Sequence, residues 1–364
     1  KFLSRGNLNA FASQIPELGL LSVAMMVVMI TNGINLSIIS TANLVGVIMA
    51  LMMRTWVTKI VRKDPNIIAI YMTGSMLEED PFLNGTTDVD LVFVHNHTRD
   101  IQRQIVPITE DATLDIHFFQ QSYYSPQRKI RLDPWVGPGL CFDPVLLYGK
   151  SHWFEFTQAA IEGAFFQPNY VLQRSRSFFG QAYESWTELS RNRNLTQARY
   201  ILNYLRMVEN ACNSIASLSA HPLTDRRILK QFKTVCENVK MDHLVPMANQ
   251  LFIGENDLQP YYDYFAKSWR YYLEEFGKSD LGNQIPKYHA FRLNYYANAV
   301  EYYWDEHLIS AVWLMLKTWS TVVEWCGLHG NPHYESFLNA LQIGTNFTQN
   351  RENQLREFID TVDE

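Results

Sequence analysis

Cysteine is scarce in this chain, with four among 364 residues: Cys141, Cys212, Cys236 and Cys326. They are widely spaced, with no Cys-x-x-Cys pair and no Cys/His cluster, which excludes a zinc framework and a disulfide scaffold. Free buried thiols of a reducing, cytoplasmic compartment are the expectation. An excess of positive charge is also missing. There are 31 Lys and Arg against 37 Asp and Glu, a net charge of −6, and the basic residues are scattered. A large nucleic-acid footprint needs a basic face, so a small molecule or a protein is the expected partner. Glycine-rich linkers, low-complexity runs and visible repeats are absent from the half of the chain that follows His152.

Charge of either sign is missing from Leu18 to Met53. The densest part, Leu18 to Ile30, is followed by a turn-like Thr31 to Asn35 and a second apolar segment, Ala42 to Met53. A membrane span takes about 20 apolar residues, more than either run supplies. The expectation is a helical hairpin over residues 1–53, buried against the rest or forming a homodimer interface. A second helix over about 42–62 would lead into a strand at 67–73. A membrane hairpin is the rival reading. No small-residue cleavage site follows the first run, so a secretory signal is not expected.

What is present is plentiful core material, 47% hydrophobic and 13% aromatic. At one domain per 100–200 residues the length suggests about two domains. The most informative segment is Tyr71-Met-Thr-Gly74-Ser75-Met76, followed by Asp88-Val-Asp90-Leu-Val-Phe-Val94. It reads as a strand, a Gly-Ser turn, a loop and a second strand opening with two carboxylates. Side chains alternate along a strand, so Asp88 and Asp90 share a face. Two carboxylates so placed repel, and a divalent cation relieves them; Mg²⁺ prefers such hard oxygen ligands together with substrate phosphates. A third acid, Asp115, sits in the apolar strand Leu114 to Phe119, on the face it shares with His117. Three acids on a metal pair suit in-line displacement at phosphorus. Each element taken singly has an ordinary structural explanation, since Gly-Ser can be a plain turn and Asp90 a solvated strand residue.

This order of elements resembles the nucleotidyltransferase superfamily, with its polymerase-beta-like fold, over roughly residues 55–150. The resemblance implies that Gly74 and Ser75 hold the terminal phosphates of a nucleoside triphosphate, ATP or another, and that Asp88 and Asp90 bind two Mg²⁺ ions. It implies that Asp115 binds one metal and assists deprotonation of an acceptor hydroxyl. The expected reaction is transfer of a nucleoside monophosphate, AMP from ATP, to a small molecule with release of pyrophosphate. A protein or RNA acceptor, or a nucleotide-binding sensor without catalysis, stays open.

Residues 120–150 are punctuated by Pro and Gly pairs, and Val145 to Lys150 is a candidate last strand. From His152 onward apolar residues recur at helix spacing. Ala198 to Leu218 reads as one long helix, Thr224 as the N-cap of the next with Asp225 in its first turn, and Tyr261–Phe276 and Tyr295–Trp325 as two more. Tyr261, Phe265, Trp269 and Tyr272 fall at core spacing, which outweighs a base-stacking role. The expected architecture is α+β: a mixed sheet with flanking helices over 54–150, then an all-α bundle of about four to seven helices over 151–364. This layout resembles bacterial small-molecule and aminoglycoside nucleotidyltransferases. Glu155, Glu162 and Glu209 are candidate acceptor-orienting acids, with an Arg206-paired structural role as the alternative for Glu209. Arg226 and Arg227 are candidate phosphate contacts or helix-start ion pairs.

Overall fold

The structure, a computed structural model, describes residues 55–363 apart from Glu79, Arg193, Ala220, Ile253, Glu255, Asn256 and residues 344–348. The expected hairpin over 1–53 lies outside the described residues. The chain divides into two compact units, residues 1–65 and 66–364. In the first, residues 55–63 are helical.

The second unit begins with strand β1, Ile67–Thr73, and continues through β2, Thr87–His95, β3, Arg103–Pro107, β4, Ala112–Gln120, and β5, Val145–Gly149. Their order across the sheet is β3-β4-β2-β1-β5. Only the β2–β4 pair is parallel, so the sheet is mixed. Every strand expected from alternation is there.

One face of this sheet carries Ala69, Tyr71, Val92 and Val94, packed against Ile130, Leu140, Phe154, Ile161 and Phe165. These come from helices α1, Gln127–Leu132, α2, Pro138–Cys141, and α3, Trp153–Phe165. In register, Thr73 stands opposite Asp90, and Asp90 opposite Asp115. The acids therefore continue the same face, beyond the end of its apolar patch.

The remainder is helical. α4, Pro168–Arg191, packs along α5, Gln197–Ala216, whose first turn is closed by the Thr196 hydroxyl accepting from Arg199 N–H at 3.1 Å. α6, Ile228–Val239, α7, Leu244–Gln250, α8, Tyr262–Lys278, and α9, Asp280–Gln284, follow. Then come α10, Leu293–Glu306, α11, Leu308–Cys326, α12, Pro332–Ala340, and α13, Gln349–Asp363. Helix α11 is the hub: Trp313 and Trp319 are fully enclosed, in a core that also takes Phe265, Trp269, Tyr303 and Trp304. No helix among the described residues is long and apolar enough to cross a membrane.

Three local expectations are corrected. The helical region is cut into more pieces than seven, because short helices such as α7 and α9 give too few turns to register as periodicity. Tyr295–Trp325 is not continuous: His307 adopts φ −157° and ψ 69°, and its carbonyl and ring cap Ser310 at the start of α11. Thr224 does not cap a helix, because residues 224–227 form a turn closed by Arg227 N–H to Thr224 C=O, and α6 starts only at Ile228.

Candidate metal centre

Asp88, Asp90 and Asp115 converge, each offering a carboxylate oxygen within 4.8 Å of the others. Asp88 and Asp90 share a face of β2 by alternation, and parallel pairing with β4 sets Asp115 beside Asp90. Gly74 closes the site from the end of β1. It has φ +83°, and a Cβ there would lie 2.0 Å from the Asp90 carboxylate oxygen Oδ2. Glycine is thus required twice, for the backbone angle and for the space the carboxylate fills. Ser75 opens the short 3₁₀ turn Ser75–Leu77 that follows.

The three acids differ in their surroundings. Asp115 is almost fully buried and takes a two-pronged contact from Arg103 on β3, Nε to Oδ1 at 2.9 Å and Nη2 to Oδ2 at 2.5 Å. Burial opposes its ionisation, but Arg103 outweighs burial and holds the carboxyl below its ordinary range. Asp88 accepts from Tyr295 Oη at 2.9 Å and from Arg292 Nη2 at 3.4 Å. The Asp90 carboxylate has neither a hydrogen bond nor an ion pair among the described residues. Burial, then the charges of Asp88 and Asp115, push its pKa well above the ordinary value.

Arg292 and Tyr295 reach the site from the helical region. Arg292 Nη1 donates to Thr113 Oγ1 at 2.8 Å. The guanidinium carbons of Arg226 and Arg292 each lie 3.8 Å from the centre of the Tyr295 ring, a separation two planar groups reach only from opposite faces. Each such contact adds about 2 kcal/mol when shielded from water. Burial and the neighbouring Asp88 push the Tyr295 hydroxyl up to about 12, so it remains a donor. Arg226 also donates to Leu83 C=O, Thr86 C=O and Thr86 Oγ1, gripping the tight turn at Asn84-Gly85. Asn298 and Asn84 exchange side chain-to-carbonyl hydrogen bonds beside it. The loop from the Gly-Ser turn to the acids is therefore pinned to the helices, with Leu83 buried in their core.

The other candidates separate. Arg227 pairs with Glu78 at 3.0 Å, in that same loop. Glu155 and Glu162 are exposed on α3 and take no part in the network around the acids. Glu209 is not paired with Arg206; its carboxylate accepts from Lys317 Nζ at 2.7 Å. Lys317 also bonds Asp225, which bonds Lys287. This quartet joins α5, the turn before α6, the 3₁₀ turn Pro286–Tyr288 and α11. Burial raises the Glu209 pKa. Burial opposes ionisation of Asp225 too, yet Lys287 and Lys317 outweigh it and hold that carboxyl far below its ordinary range.

Sequence reading missed Arg103, Arg292, Tyr295 and Thr113. Arg103 was within reach of it: a β3–β4 hairpin sets Arg103 opposite His117, on the face of Asp115. Arg292 and Tyr295 gave no local signal.

Neither a protein-family model nor a curated protein matches this chain.

Proposed function

We propose that this chain is a Mg²⁺-dependent nucleotidyltransferase of the polymerase-beta-like type. It moves a nucleoside monophosphate, AMP from ATP, onto a hydroxyl of a small molecule and releases pyrophosphate. The observation that carries this reading is the convergence of Asp88, Asp90 and Asp115 beside a glycine whose missing side chain makes room for Asp90.

The donor set fits the metal. Three hard carboxylates face two guanidiniums, and the carboxylate without a partner, Asp90, is the one whose charge is most costly. A bound divalent ion would relieve that cost and supply Lewis acidity at the transferring phosphoryl group. Asp88 and Asp90 would hold the ions, with Asp115 as a third ligand on the acceptor side. Gly74 and Ser75 are assigned the β- and γ-phosphates through backbone N–H groups and the hydroxyl. Tyr295 and Arg292 keep Asp88 oriented from above. The acceptor lies between the sheet face and the helices, where a small molecule fits better than a polynucleotide given the net charge of −6.

Pyrophosphate release from each of the four nucleoside triphosphates with Mg²⁺ tests this, with and without a pool of aminoglycosides and metabolites, and with Asp90→Asn as the blank. Acceptor-dependent release that is absent in the blank is the expected result. A second reading, a nucleotide-binding sensor, draws on the arginines already seated on two of the three acids. Mg²⁺-dependent nucleotide binding with no release from any pool would select it.

A further inference from the structure

Two arginines touch the acids, and they are held in different ways. The Arg292 side chain is 3% exposed, donates to Thr113, stacks on Tyr295 and makes only a 3.4 Å contact with Asp88. It is part of the frame. The Arg103 side chain is 43% exposed, projects from edge strand β3, and among the described residues hydrogen-bonds to Asp115 alone. Its fork takes both oxygens of a carboxylate that is itself 3% exposed. A divalent ion approaching Asp115 meets the guanidinium charge at the same carboxylate, so the two cations compete there.

We propose that Arg103 couples metal loading of the acids to binding of a polyphosphate. This rests on the metal site argued above. A guanidinium that engages a carboxylate through two parallel N–H bonds fits a phosphate equally well. On arrival of a nucleoside triphosphate, the Arg103 fork passes from Asp115 to phosphate oxygens. Asp115 is then free for the metal, and the arginine neutralises the ligand that brought the metal in. Metal alone binds against Arg103; metal with polyphosphate binds without that competition. Linkage makes the effect reciprocal.

The test has two arms with opposite signs, both on the full chain. Mn²⁺ binding, followed by the paramagnetic resonance of the free ion, is compared between wild type and Arg103→Gln in the absence of nucleotide. ATP binding in the presence of EDTA is compared by calorimetry. The variant is expected to bind Mn²⁺ about tenfold more tightly, within the usual range of coupling, and metal-free ATP more weakly. Arg103→Lys should keep the charge without the fork and fall between. Because Arg103→Gln leaves the buried Asp115 carboxylate without its fork, the variants are expected to melt below wild type, and both comparisons are made at temperatures where each is folded. A variant that binds Mn²⁺ no more tightly than wild type, or ATP equally well, overturns the coupling while leaving the metal site standing. Wild type that binds no Mn²⁺ beyond the level of Asp90→Asn overturns the metal reading itself, and the coupling with it.

Discussion

The protein holds two clusters of charge, and they are built to opposite accounts. Around Asp90, three carboxylates face two guanidiniums, and one acid is left without a partner. Around Asp225, two carboxylates face two ammonium groups, and all four are paired. The balanced cluster ties two helices, a 3₁₀ turn and the turn before α6 together and asks for nothing further. The unbalanced cluster carries an uncompensated negative charge that a folded chain keeps only at a cost in stability. Imbalance, more than the presence of acids, distinguishes the candidate site from a structural ion network.

The strongest way to break this contrast is to change one acid in each. Asp90→Asn should lower turnover on the order of 10³-fold, as loss of one member of a cooperating catalytic set does. It should also raise resistance of the metal-free protein to urea, because a destabilising charge is gone. Asp225→Ala should do the reverse, leaving Lys287 without its carboxylate and Lys317 with Glu209 alone, and costing about 3 kcal/mol of stability in urea titrations. Turnover measured at low temperature, where the variant stays folded, should remain near wild type. If Asp90→Asn proves less stable than wild type, the contrast fails.

Gly74→Ala probes the wall of the unbalanced site. With φ at +83° and the Asp90 oxygen where a Cβ would go, the substitution should cost about 2 kcal/mol of stability and displace the carboxylate. Mn²⁺ affinity should drop with it. Unchanged Mn²⁺ affinity would mean that Asp90 moves aside freely and that the close approach has no role.

The subtlest distinction is in pH. Asp225 has a depressed pKa, so its stabilisation is present above its ordinary 3.8 and is lost as the pH falls below that value. Asp90 has a raised pKa, so its contribution is present below 3.8 and is lost as the pH rises through its folded value. Urea titrations in EDTA should therefore show Asp90→Asn gaining on wild type as the pH rises above about 4. Asp225→Asn should lose the wild-type fall in stability at the acid end. Parallel pH profiles for wild type and Asp90→Asn would remove the electrostatic difference between the clusters.

Much of the sheet and the acid triad was legible in the sequence, because both depend on short-range rules. Alternation puts Asp88 and Asp90 on one face, and one strand pairing adds Asp115. The helical half was legible only in outline. His307 interrupts an apolar pattern that continues on both sides, so periodicity runs straight through the break. Thr224 and Asp225 look like a helix start, yet Asp225 is drawn to lysines 62 and 92 residues away. Glu209 stood out as a carboxylate in an apolar helix, but its partner is Lys317, 108 residues on, and not the nearby Arg206. A one-dimensional pattern carries no information about such pairings.

Asp88 draws its hydrogen bonds from Arg292 and Tyr295, which lie 204 and 207 residues further along the chain. During synthesis, the sheet leaves the ribosome long before these side chains exist. Contacts so distant in sequence also slow folding, because a long loop must close before they form. A nascent chain halted before α10 would therefore hold all three acids without Tyr295, and the site would be unfinished.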